Sequence, residues 1–111
     1  MKPHLGLSCL IGENVIFEIP VHVGDRVKIG SGTIFSGLDA RSKLNKREIT
    51  EPKTVIEHGV TIGSNCTIVG NTVIKSMSIV ADGSVVIGLV RSGSFVAGNP
   101  ARHIYSLSSV K

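Results

Sequence analysis

The chain has 111 residues and a mass of 11.7 kDa; 41% of it is hydrophobic, 18% is charged, and the mean hydropathy is +0.29. That length and balance read as one folded domain and exclude a wholly disordered chain. The net charge of +4 and pI near 9.4 fit an anionic partner, but Phe17, Phe35, Phe95 and Tyr105 are the only aromatics, too few for a base-stacking nucleic-acid platform.

The N-terminal stretch MKPHLGLSCL has one Lys and no long apolar run, and nothing in the chain approaches eighteen consecutive apolar residues. Neither a signal peptide nor a membrane span is expected. Cys9 and Cys66 form no metal spacing and no disulfide framework, which fits a reducing compartment. The expected location is cytoplasmic.

From Leu5 onward a period of six governs the chain. Stepping by six gives Leu5, Ile11, Phe17, Val23, Ile29 and Phe35, and after a break Ile56, Ile62, Ile68, Ile74, Val80 and Val86. With about four residues in ten apolar, twelve hits in twelve have a chance on the order of one in tens of thousands. Gly fills five of the twelve second positions, which suits a corner of tight backbone. Fifth positions such as Cys9, Val15, Val21, Val27, Thr33, Val60, Cys66, Thr72, Ser78 and Ser84 are small or β-branched and can point inward beside the bulkier first position. Each unit is thus a short strand plus a turn, and three units close a triangular coil of eighteen residues. Coils stacked about 4.8 Å apart satisfy one another's backbone amides without a helix. The fold class predicted is all-β, a parallel β-helix.

Ile56 comes twenty-one positions after Phe35, three more than a full coil, so the register slips and a loop at about 37–55 protrudes with eight of the chain's twenty charges. A structureless loop of that length inside a compact domain is usually functional or disordered. After Val90 the period fails again, and residues 92–111 read as a short C-terminal cap, with Gly98, Asn99 and Pro100 forming the turn that starts it. One domain, 1–111, therefore divides into coils at about 5–36 and 56–91, the loop, and the tail.

The repeat frame over 5–36 and 56–86, with the segment FVAGNPAR from Phe95 to Arg102, resembles the hexapeptide-repeat acyltransferases. The resemblance implies a left-handed β-helix, acetyl-CoA as acyl donor, and a homotrimer with active sites between subunits. TIFSGLDARS running into a charged loop, followed by TVIEHGVTIGSNCTIVGNTVI, looks most like enzymes that acetylate amino sugars carried on nucleotides. In the family's O-acetyltransferases a His sits at the sixth position of the unit entering the loop; here that position is Ala40. In the resembling N-acetyltransferases an Asn is expected near the loop entry, where this chain has Gly37.

Three residues are candidates for the chemistry. His22 occupies the sixth position one coil before Ala40, so stacking is expected to place its ring on the same corner, bordering the cleft. Asp39, at a fifth position as the loop leaves the coil, is available to orient an amine or hydroxyl. His58, just after the loop, can face it. His4 and His103 lie near the ends and read as solvated, Cys9 and Cys66 as core thiols, and no metal site is expected. For CoA, Gly63, Ser64, Ala81 and Gly83 are small enough to admit the pantetheine arm, and Lys75, Arg91 and Arg102 are placed to meet phosphates. The leading expectation is transfer of an acetyl group to the amine of a small, nucleotide-linked amino sugar; the alternatives are a sugar O-acetyltransferase and a non-catalytic trimeric β-helix.

Overall fold

The computed structural model describes residues 3–37 and 54–107. Among these residues fifteen strands, numbered along the chain, are dealt in turn to three sheets that form the faces of a prism. Sheet A takes β1 (His4–Leu5), β4 (Val21–Val23), β7 (Thr54–Ile56), β10 (Val73–Ile74) and β13 (Leu89–Val90). Sheet B takes β2 (Leu10–Ile11), β5 (Lys28–Ile29), β8 (Thr61–Ile62), β11 (Ile79–Val80), β14 (Ser94–Gly98) and β15 (Ala101–Ser106). Sheet C takes β3 (Ile16–Phe17), β6 (Ile34–Ser36), β9 (Thr67–Val69) and β12 (Val85–Val86). All neighbours pair parallel except β14 with β15. This is the parallel β-helix that the repeat implies, left-handed as the family resemblance has it.

Each strand is built from a sixth-position residue facing out and a first-position residue facing in, because side chains alternate across a strand. The inward set Val23, Ile56, Ile74, Ile29, Ile62, Val80, Phe35, Ile68 and Val86 is at most 3% exposed. Each such side chain stabilises the fold by about 1.5–3 kcal/mol relative to exposure. Phe17 and Phe35 stack inside the prism with centroids 4.8 Å apart. The fifth positions also point inward: Val27, Val60 and Cys66 join the core, and Thr33, Thr72, Ser78 and Ser84 are buried.

Two local expectations are corrected. The left-handed backbone falls at the fourth position, where Ser8, Asn14, Arg26, Asn65, Asn71 and Met77 all have φ between 56° and 66°. Second-position glycine has a different cause. A Cβ on Gly12 or Gly30 would lie 2.5 Å from the backbone N of Ser31 or Ser64 in the next coil, so close stacking at the edge excludes it. The sixth position, and with it His22, lies in the strand and on the flat outer face of sheet A, not on a corner.

The break also differs from one coil plus three residues. Val23 pairs directly with Ile56, so fifteen residues are inserted at a single edge, between sheets C and A. Around that edge Ile19 is fully buried, and its Cδ1 lies 3.7 Å from the position a Gly70 Cβ would take. Gly37 N–H donates to Glu18 Oε1 at 3.2 Å, tying down the chain as it leaves the prism.

At the far end the step shortens first and then resumes. Val86 to Val90 is four residues, after which Val90 to Val96 is again six. Strand β14 continues sheet B on β11, and the chain turns through Asn99–Pro100 so that β15 runs back antiparallel. The coils therefore extend through Gly98, and the cap is β15. Three buried hydroxyls secure this last coil, one on each edge: the N–H groups of Gly88, Ser94 and Gly98 donate to Thr72 Oγ1, Ser78 Oγ and Ser84 Oγ, each at 3.3 Å.

Candidate functional site

Strand β4 reads Val-His-Val, so Val21 and Val23 anchor it in the core and His22 projects outward. Because the insertion lies between sheets C and A, the neighbour of His22 on the next coil is Val55, where the chain returns. On the other side the His22 ring stacks on that of His4, with centroids 6.1 Å apart and planes 22° from parallel.

The edge between sheets A and B completes the site. Asp25 and His58 occupy equivalent turn positions on successive coils, joined by the Gly59 N–H donating to Asp25 O at 2.9 Å. Gly24 permits this contact, since a Cβ there would sit 2.8 Å from His58 N. Asp25 Oδ1 accepts from Leu7 N–H at 2.8 Å, and Glu57 Oε1 accepts from Ser76 N–H at 2.9 Å. Glu57 Oε2 also lies 3.7 Å from Lys75 Nζ. The result is a shallow depression lined by His22, Gly24, Asp25, Val55, Ile56, Glu57 and His58. Two imidazoles can accept a proton from a nucleophile held there, and two carboxylates fixed by backbone amides give the surroundings a negative field.

Of the residues singled out in the sequence, His22 and His58 are thus brought together. Asp39 and Ala40 lie outside the described residues. Gly63, Ser64, Ala81 and Gly83 share the edge between sheets B and C. There the space that a Gly63 side chain would need is filled by Asp82, whose Oδ1 accepts from Ser64 N–H at 2.8 Å. Gly83, with φ +72°, faces open space. Lys75 and Arg91 stand on the A–B edge, with sheet B between them and the Gly63 group. Arg102 lies on β15 opposite Ala97. Arg91 also reaches a cavity of about 420 Å³ at the open end of the last coil, floored by Val86, Val90 and Val96 and rimmed in part by His103. Among the described residues no three His, Cys, Asp or Glu side chains are arranged to hold a metal ion.

Cys66 is buried, and its thiol lies 3.2 Å from Ala81 O. Desolvation pushes its pKa above the ordinary value, which suits a core thiol and not a nucleophile. Sequence reasoning missed Asp25 and Glu57. Their signal is positional, since Asp25 shares its place in the six with His58 and Glu57 shares its place with Lys75.

A three-sided parallel β-helix of six-residue units defines a class, and comparison with known proteins agrees. A family model described as the hexapeptide repeat of succinyl-transferase matches residues 5–35 and 53–76. Serine acetyltransferase 4 of Arabidopsis thaliana is 35% identical over 99 residues, which is 89% of this chain and 24% of that protein. The 2,3,4,5-tetrahydropyridine-2,6-dicarboxylate N-acetyltransferase of Clostridium perfringens is 38% identical over 82 residues, 73% of this chain and 31% of that protein. The solved structure of the hexapeptide-repeat containing acetyltransferase of Vibrio cholerae O1 biovar eltor, complexed with acetyl-CoA, is 32% identical with a TM-score of 0.68. That likeness covers 96% of this chain and 70% of the Vibrio chain. The chain belongs to the hexapeptide-repeat acetyltransferases. It spans between about a quarter and a third of the length of these curated relatives.

Proposed function

We propose that the chain moves an acetyl group from acetyl-CoA to a small acceptor, the amine of a nucleotide-linked amino sugar. The observation that carries this reading is the depression in which His22 and His58 face the same solvent-open floor beside the returning strand β7. The acceptor nitrogen attacks the thioester carbonyl, the new C–N bond forms, and the C–S bond breaks. CoA departs as thiolate, and the proton lost by nitrogen passes through an imidazole to the sulfur or to solvent. The Vibrio relative's structure is a complex with acetyl-CoA, which supports acetyl-CoA as the donor here. The pantetheine arm takes the B–C edge of a neighbouring copy in the assembly, where Ala81 and the open Gly83 corner admit it, and Arg102 of that copy meets a CoA phosphate. Asp39 orients the acceptor from the loop.

Three copies assemble around the site. Leu10, Ile16 and Leu89, one on the outer face of each sheet, are 64%, 49% and 61% exposed, and packing prism against prism covers such flanks. The free thiols of Cys9 and Cys66 suit the reducing cytoplasm.

A second reading, O-acetylation of a sugar hydroxyl, is favoured by the same imidazole pair, because a hydroxyl is a very weak acid and needs a base where a neutral amine does not. The test is thiol release from acetyl-CoA with matched amino and hydroxyl acceptors. Turnover with the amine alone supports the first reading, and turnover with the hydroxyl supports the second. No turnover and no heat on titration with acetyl-CoA would leave a non-catalytic trimeric β-helix.

A further inference from the structure

The A–B edge continues upward from His58 in an ordered way. Register pairs Ile56 with Ile74 and Ile74 with Val90, so the residues that follow stack in columns. Lys75 and Arg91 stand above Glu57, and Ser76 and Ser92 stand above His58. The two serine hydroxyls lie 3.4 Å apart, and Met77 N–H and Gly93 N–H donate to His58 O and Ser76 O at 3.1 Å and 2.9 Å, which fixes the rungs on one another. A Lys-Ser rung and an Arg-Ser rung therefore rise about 5 Å and about 10 Å along the axis from the imidazole of the candidate site. Each rung offers one cation and one hydroxyl to solvent. The only partner of Lys75 among the described ion pairs is Glu57, in a half-exposed pair too weak to hold it against a stronger anion.

We propose that these two rungs form a diphosphate subsite for the acceptor, with Lys75 and Ser76 holding the nearer phosphate and Arg91 and Ser92 the farther one. The proposal rests on the acetyl-transfer reading of the depression and names the acceptor class more closely. Spacing decides between the two possible owners of the phosphates. In CoA the diphosphate is separated from the reacting thioester by the whole pantetheine arm. In a nucleotide sugar it is joined to the ring that carries the nucleophile, a few bonds away, as a strip beginning one coil from His58 requires. Cation and hydroxyl together suit phosphate oxygens, which take charge-assisted hydrogen bonds. Near Glu57 the first phosphate displaces the carboxylate from Lys75, so Glu57 competes with the ligand.

The experiment is calorimetric titration of the whole protein with UDP and with inorganic pyrophosphate, and separately with CoA. The proteins compared are wild type, Lys75→Gln, Arg91→Gln and Glu57→Gln, at exposed or half-exposed positions, each checked by circular dichroism. Each cation variant is expected to weaken UDP about tenfold or more while leaving CoA unchanged, and Lys75→Arg to restore most of the loss. Glu57→Gln is expected to tighten UDP. Loss of CoA affinity with UDP unchanged would assign the rungs to the donor and overturn the proposal. So would a wild-type protein that binds neither UDP nor pyrophosphate at millimolar concentration. If UDP binding is present and falls in the variants while no acceptor is acetylated, the subsite stands and the acetyl-transfer reading falls.

Discussion

His22 and Val55 are side-by-side neighbours on sheet A although thirty-three positions separate them in the chain. A full coil accounts for eighteen of those positions, and the remaining fifteen fall at one edge, before strand β7 pairs beside the imidazole. The site is therefore built where the repeat is interrupted, with regular coils above and below holding its floor.

That placement predicts how His22 contributes. With a hydroxyl acceptor, His22→Ala is expected to lower kcat by about 10²-fold or more, the usual worth of a general base. With an amine acceptor above its pKa the loss is expected to stay below about tenfold, because the neutral amine attacks unaided. Thiol release over a pH range measures both, and unchanged turnover with both acceptors would remove His22 from the reaction.

The second-position glycines should be costly to change for steric reasons. Gly30→Ala forces a methyl to within 2.5 Å of Ser64 N, which lies in backbone and cannot swing away. A destabilisation of about 1–3 kcal/mol is expected, as for overpacking. Gly83→Ala meets nothing within 4 Å, so its cost is the left-handed φ of +72° alone, about 1 kcal/mol. Urea unfolding of the two variants would show the larger loss at Gly30.

The buried hydroxyls of the last coil should matter through their acceptor role. Thr72→Val keeps the shape and leaves Gly88 N–H without the oxygen it donates to at 3.3 Å. An unpaired buried donor costs about 1–3 kcal/mol. Amide hydrogen exchange is expected to speed up first at Gly88, and exchange accelerated evenly along the chain would instead mean a global loss.

Cys66 gives a pH dependence with a definite sign. Burial raises its pKa above the ordinary 9.0, so the folded state favours the protonated thiol. The stability this contributes is whole below that ordinary value and is lost as pH rises through the raised one. Cys66 is 1% exposed whereas Cys9 is only partly buried, so alkylation at pH 8 followed by mass spectrometry should mark Cys9 first. Cys66 should react only at the rate of unfolding, and equal labelling of both would contradict the buried assignment.

Much of the architecture was legible because the period of six is a local property. Val23, Ile29, Phe35, Ile62 and Ile74 fall inside at the places a count of six assigns, and the small fifth positions follow them. The site was legible only in part. His22 and His58 were recognisable as candidates, but a count of residues put His22 on a corner, whereas the strand period turns it onto a face. Asp25 and Glu57 carried only a positional signal, since each merely shares its place in the six with His58 or Lys75.

The sequence alone determined the three-sided coil, its interior and the existence of an interruption, because each follows from which side chains must leave water. Only the tertiary structure decided that the interruption occupies one edge, that Asp25 lies under His58, and that Lys75 and Arg91 rise above them. Those facts depend on register between coils, which is set by backbone hydrogen bonds across eighteen, thirty-three or sixteen residues. A shift anywhere along the chain would bring different side chains together without altering the repeat that made the fold readable.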